Sequence, residues 1–170
     1  MSQRELRNNA VLEAVLLRNA ETVYKIAFLR TKNTHDAEDI MQEVFLRYVK
    51  KQPSFESNEH EKAWFIRTTL NRTKSFFTSA WKKHTVALDE EAVYVESEFN
   101  RDLFDEVMNL PKEISTAIHL YYYENMPIKD ISAVMDKSES AVKSLLFRGR
   151  KLLKISLTDN DGCERNNDNV

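Results

Sequence analysis

NMPIKDISAVMDKSESAVKSLLFRGRKLLK, from Asn125 to Lys154, reads as two short helices joined by a tight turn. Pro127 suits the first helical position, where its missing N–H would be unpaired anyway. Ile128, Ile131 and Met135 recur at helical spacing. Asp136, Lys137 and Ser138 supply the turn, and the Ser138 hydroxyl can accept a bond from a free N–H of the helix that follows. In that second helix Ala141, Val142, Leu145, Leu146, Leu152 and Leu153 form an apolar stripe, and Lys143, Arg148, Arg150, Lys151 and Lys154 stand off it. Between Ser140 and Lys154 there are five basic residues and no acidic one. A short helix docked under a basic second helix is the layout of a helix-turn-helix, whose second helix enters the major groove of DNA. Amphipathic helix pairs with a merely solvated basic face are also common, so the rest of the chain must decide.

The 170 residues suffice for one domain or two small ones. Two Gly and three Pro are too few for the turns of an all-β fold, which argues for an all-α chain. The net charge of −2 hides a strong segregation. Lys62 to Lys83 holds six basic residues and no acidic one, whereas Thr85 to Glu106 holds eight acidic residues against Arg101. Such blocks point to polyanion binding by parts of the chain, although helical surfaces segregate charge without a ligand too. No apolar run approaches the roughly 18 residues of a membrane span, and the N-terminus lacks the apolar centre of a secretory signal. A soluble, cytoplasmic protein without membrane insertion is expected. Cys163 is the only cysteine, and His35, His60, His84 and His119 are scattered without metal-ligand spacing. With no Gly-rich phosphate loop or nucleophile motif either, no catalytic residue, metal or cofactor is expected, and the chain reads as a non-enzyme.

Apolar periodicity from Leu12 to Leu29 marks one or two N-terminal helices ending near Thr31. Asn33 or Thr34 can cap the next helix, which runs to about Lys51 with Ala37, Ile40, Met41, Val44, Phe45 and Tyr48 inward. Pro53 ends it and begins a polar loop with Phe55 in its middle. Asn58 and Glu61 resemble a capping pair for a long helix to about Lys83. The acidic run that follows has no stripe and reads as a linker over residues 84–101. A short helix from Asp102 to Asn109 then precedes Pro111, which opens another through Tyr123 with Ile114, Ala117, Ile118 and Tyr121 inward. Residues 158–170 are too polar to pack and are expected to be a disordered tail.

The segment HDAEDIMQEVF, His35 to Phe45, is by physics alone an amphipathic helix with an acidic, glutamine-bearing outer face. DAED followed by QEVF at this spacing resembles the polymerase-binding helix of bacterial sigma factors. The helix-turn-helix lies about ninety residues downstream, in the order that family requires. The chain resembles a sigma-70-family factor of the extracytoplasmic-function type, over roughly Val23 to Leu153. The resemblance implies two helical modules without the N-terminal extension and central domain of larger relatives. Residues 1–83 would be region 2, which binds core polymerase and reads and melts the −10 element. Residues 102–157 would be region 4, which reads the −35 element.

Residue by residue, the resemblance puts polymerase contact on Asp39, Gln42, Glu43 and Phe45, although Phe45 also has the spacing of a core residue. AWFIRTTLNRTKSFF, Ala63 to Phe77, is similar to the −10 recognition helix, with Arg67, Asn71, Arg72 and Lys74 as DNA contacts on one helix side and Trp64, Ile66, Leu70 and Phe77 as packing. The loop from Ser54 to His60 matches the family loop that captures a flipped −10 base, though Glu56 and Glu59 leave its base preference open. SESAVKSLLFRGRKLL, Ser138 to Leu153, is similar to the −35 helix. Ser140, Lys143, Ser144, Phe147 and Arg148 would face the groove, and Arg150 and Lys151 the phosphates. Leu145 stands where the family usually has Arg and Gly149 where it has Ala, a change that costs about 1 kcal/mol of helix propensity. The implied partners are core RNA polymerase and promoter DNA. An anti-sigma factor is a partner the family brings with it, on no particular residue. The rivals are a stand-alone helix-turn-helix regulator, which leaves the DAED–QEVF helix unused, and a helical interaction adaptor, which leaves the basic helix unused.

Overall fold

The computed structural model describes residues 2–81 and 101–164, with side chains for 2–79 and 103–156. Every regular element among them is a helix. The chain divides into two units, Met1–Val93 and Tyr94–Val170, and the predicted linker lies almost wholly outside the described residues.

The first unit holds α1 (Gln3–Thr31), α2 (Thr34–Lys51) and α3 (Asn58–Trp81). One helix, not two, precedes Thr31. It starts at a capping box the sequence reading passed over: the Glu5 N–H donates to Ser2 Oγ, and the Ser2 N–H donates back to the Glu5 carboxylate at 2.7 Å. Asn33 caps α2, its Oδ1 accepting from the Asp36 N–H at 2.9 Å. Val23, Ile26, Leu29, Ala37, Ile40, Val44, Phe65, Ile66 and Leu70 are buried where the three helices meet. Each large apolar side chain so buried contributes roughly 1.5–3 kcal/mol. Met41 and Phe45 are half-buried, and Phe45 packs edge-on against Phe65 at 6.3 Å.

The expected Asn58–Glu61 capping pair is replaced. Ser57 takes the cap, its Oγ accepting from the His60 N–H at 3.1 Å. Glu61 is thereby left for tertiary contact. It accepts from Arg18 Nε at 2.7 Å and Arg18 Nη2 at 2.5 Å, and from Asn19 Nδ2 at 2.8 Å. A buried carboxylate needs such partners, and both stand on α1.

The second unit holds α4 (Arg101–Met108), α5 (Lys112–Tyr122), α6 (Ile128–Met135) and α7 (Glu139–Glu164). In α5 every residue from Ile114 to Leu120 is buried, the pattern of a helix surrounded by others. It packs against α4, α6 and α7; Tyr121 is half-buried. Pro127 stands one position earlier than expected, as the cap of α6. Ser138 caps α7, accepting from the Ala141 N–H at 3.0 Å. The buried line of α7 is Val142, Leu145, Leu146 and Gly149, with Leu153 half-buried. Leu152 leaves it and is 40% exposed, because a seven-residue spacing drifts by about 20° per repeat on a 3.6-residue helix. α7 also runs past Leu157, where the expected tail begins, to Glu164. No proline interrupts it, and extending a formed helix needs only one residue fixed per new bond.

Candidate nucleic-acid and polymerase interfaces

On α2 the sequence-selected Asp39, Gln42 and Glu43 are all exposed. At about 100° per residue they share one outward stripe, which continues through Leu46 and Lys50. Leu46 is 57% exposed, and Val49 at the stripe's edge is exposed as well. They form a small apolar break in an otherwise polar stripe. Leu46 falls on the outer face expected from the sequence, though not among the selected contacts, and Val49 was not singled out. Their signal was present as Leu and Val at non-core helical positions. Phe45 does not join the stripe, because Phe65 holds it toward the core.

On α3, Arg67, Asn71 and Lys74 are exposed and fall within about 60° of one another. Arg72 breaks from that group. Its Nε is ion-paired with the Glu43 carboxylate across the α2–α3 seam. One of the four expected DNA contacts of α3 is therefore engaged with one of the expected polymerase contacts of α2. Both line a shallow groove with Leu46, Arg47, Lys50 and Thr68.

The loop before α3 is pinned by aromatic packing. Phe55 stacks on Tyr48 with ring planes 10° apart, and lies 6.1 Å from Trp64 and 5.6 Å from His60. Trp64 in turn meets Tyr48 at 5.9 Å. The loop backbone is thus held between α2 and α3 with Ser54 and Glu56 exposed; of the expected loop Ser54–His60, residues 58–60 belong to the first turn of α3, where Glu59 is exposed as well. Immediately after it, the Arg18 and Asn19 bonds tie the first turn of α3 to α1. The Arg18 hydrogen bonds hold the Glu61 carboxyl below its usual range, against the opposing effect of its burial.

On α7, Ser140, Lys143, Ser144, Phe147, Arg148 and Lys151 are all exposed, and Phe147 is 66% accessible. An aromatic held in water among cations on a helix is costly unless a partner covers it. Arg150 is exposed too, but it is engaged within the unit. Its Nε donates to the Tyr122 hydroxyl at 2.6 Å, and its guanidinium lies 5.8 Å and 5.7 Å from the Tyr121 and Tyr122 rings. Leu145, at the position where the resemblance expects Arg, is buried in the core of this unit. Gly149 also has a packing role. A Cβ there would stand 2.6 Å from Ile118 Cγ1 and 2.9 Å from Ile114 Cγ2, so glycine permits the close approach of α7 to α5.

Among the described residues there is no cluster of metal-binding side chains, and no helix is long and apolar enough to cross a membrane. Comparison with known proteins gives two family matches. Residues 15–83 match the family model for Sigma-70 region 2, and residues 101–153 that for Sigma-70, region 4. The RNA polymerase sigma factor SigV of Bacillus subtilis is 28% identical over 164 residues, covering 94% of this chain and 98% of SigV. The ECF RNA polymerase sigma factor SigM of the same organism is 30% identical over 141 residues, covering 78% and 86%. Among solved structures, the sigma factor RpoE from Bartonella quintana, crystallised with the anti-sigma factor NepR, has a similar fold. The TM-score is 0.67 at 22% identity, over 89% of this chain and 97% of that one.

Proposed function

This chain belongs to the extracytoplasmic-function branch of the sigma-70 family, and on that premise we propose how its two units share the work of promoter-directed transcription. As a sigma factor it binds core RNA polymerase and directs initiation at promoters. The outward stripe of α2, with Asp39, Gln42, Glu43 and Leu46, is the polymerase face. Arg67, Asn71 and Lys74 of α3, with the aromatic-pinned loop before them, bind the −10 element, where cations take the phosphates as the strands part. Ser140, Lys143, Ser144, Phe147 and Arg148 of α7 read the −35 element, and Lys151 anchors phosphate.

The observation that carries this reading is the exposure of Phe147 between Lys143 and Arg148 on α7. A major groove offers that trio a thymine methyl and guanine acceptors together. The protein itself performs no bond chemistry in this scheme, since phosphodiester synthesis is the polymerase's. It works where the polymerase works, in the cytoplasm. An anti-sigma factor would silence it by covering the α2 or α7 face.

Run-off transcription with core polymerase on a library of promoters tests the whole assignment. The expected result is transcription from a defined class of −10/−35 pairs, abolished when the protein is withheld. Duplex binding with no polymerase-dependent transcripts would instead support a stand-alone regulator.

A further inference from the structure

The Glu43–Arg72 ion pair joins two surfaces that would otherwise serve different partners. Arg72 comes from the −10 helix, yet it stands about 140° around α3 from Arg67 and about 160° from Lys74. A residue so placed does not share their DNA-facing side. It lies in the α2–α3 groove instead, beside Glu43, Leu46 and Arg47.

The pair adds little to folding, because both side chains keep contact with water: Arg72 is 38% exposed and Glu43 46%. Ion pairs of that kind have a median worth near zero to 1 kcal/mol. What the contact does is restrict Glu43. A glutamate on an exposed helix otherwise samples many rotamers, and ordering it at an interface costs affinity. The Arg72 guanidinium standing beside it through Nε narrows that choice of rotamers.

We infer that Arg72 is a positioning residue of the polymerase-binding face, which holds the Glu43 carboxylate ready for a cationic or N–H donor group of the polymerase and does not itself bind promoter DNA. The inference rests on the sigma-factor function proposed above. In place of four −10 contacts on α3 it leaves three, and it makes the seam between α2 and α3 part of the polymerase face.

The test titrates core polymerase against fluorescently labelled full-length protein for the wild type, Arg72→Ala, Arg72→Lys, Glu43→Gln and the double variant Glu43→Gln/Arg72→Ala. Promoter opening is then measured by permanganate reactivity, with each variant at saturating polymerase. Thermal melting by circular dichroism confirms that each variant is folded. Arg72→Ala should weaken polymerase binding about three- to tenfold, a range typical of coupled neighbours. Arg72→Lys should recover part of the loss. The double variant should be no weaker than Glu43→Gln alone, and opening by saturated holoenzyme should equal wild type. Lys74→Ala should give the opposite pattern, with normal polymerase affinity and impaired opening. Wild-type polymerase affinity in Arg72→Ala, additive losses in the double variant, or impaired opening by its saturated holoenzyme would each overturn the inference and leave the sigma-factor function standing. Failure of the wild-type protein to bind polymerase would remove that function, and the inference with it.

Discussion

Gly149 of α7 lies against Ile118 of α5 so closely that a single added methyl would sit 2.6 Å from Ile118 Cγ1 and 2.7 Å from Ile118 Cδ1. The helix-turn-helix unit is assembled around this approach. Ile118 is buried and belongs to the stretch of α5 with no exposed side, so it has little room to yield.

Gly149→Ala should therefore destabilise the second unit, although alanine is the better helix former by about 1 kcal/mol. Overpacking of a dense core costs typically 1–3 kcal/mol, so the net change should be a loss of up to about 2 kcal/mol. Urea denaturation measures it, and adding Ile118→Ala should relieve the two closest contacts, leaving Ile114 Cγ2 at 2.9 Å, while opening space elsewhere. A stabilised Gly149→Ala variant would mean that α5 and α7 part easily.

Acid should loosen the first unit through Glu61. Its folded-state carboxyl titrates below the ordinary value of 4.5 because Arg18 and Asn19 bind the charged form. The contribution is complete above about pH 4.5 and fades as pH falls through the depressed value, because the folded state then takes up a proton the unfolded state already holds. Denaturation midpoints of wild type and Glu61→Gln, followed from neutral pH down to about pH 3, should differ by a constant at the upper end and converge at the lower. Parallel curves throughout would show that the Arg18 contact has no influence on stability.

Arg148 and Lys151 should separate specificity from affinity. Arg148→Ala is expected to cost about 1–3 kcal/mol and relax preference at one or two −35 positions. Lys151→Ala should weaken all promoters alike and lower the salt slope by about one. Holoenzyme binding to a −35 substitution series at several salt concentrations reads both. Uniform losses from both variants would make Arg148 a phosphate anchor and move base readout to Ser140, Lys143, Ser144 or Phe147.

Arg150 should behave unlike its basic neighbours. It is bonded to the Tyr122 hydroxyl and packed against two rings, so Arg150→Ala should lower the melting temperature more than Lys151→Ala does. Tyr122→Phe should reproduce part of that loss, about 1 kcal/mol for one hydrogen bond. Equal melting temperatures for Arg150→Ala and Lys151→Ala would return Arg150 to the phosphate contacts.

What the sequence reveals of this fold stops at the boundary of the single helix. Within a helix, periodicity and caps were legible: Asn33 and Ser138 announced α2 and α7, and the buried positions of α2 followed from spacing alone. The outward residues Asp39, Gln42, Glu43, Lys143 and Arg148 were found for the same reason, since a face is a local property. Contacts between helices were not legible. Glu43 with Arg72, Arg150 with Tyr122, Glu61 with Arg18 and Gly149 with Ile118 all depend on how one helix is set against another. That setting is a sum of many packing contacts, which no single segment carries. Glu61 illustrates the cost: three residues after Asn58 it has the spacing of a capping glutamate, but Ser57 takes the cap and the neighbouring α1 supplies its partners.

Among the described residues the C-caps Lys32, Gln52 and Asp136, and Asn125 in the loop after α5, turn through the left-handed region, and none of them is glycine. Asparagine and aspartate tolerate that geometry, whereas for lysine and glutamine it costs roughly 1–2 kcal/mol each. Lys32 and Gln52 are the C-caps of α1 and α2. The molecule thus carries a margin for heat tolerance at its joints. A laboratory seeking a hardier variant for a synthetic gene circuit could place glycine at Lys32, and leave Gln52, which adjoins the loop before α3, as it is.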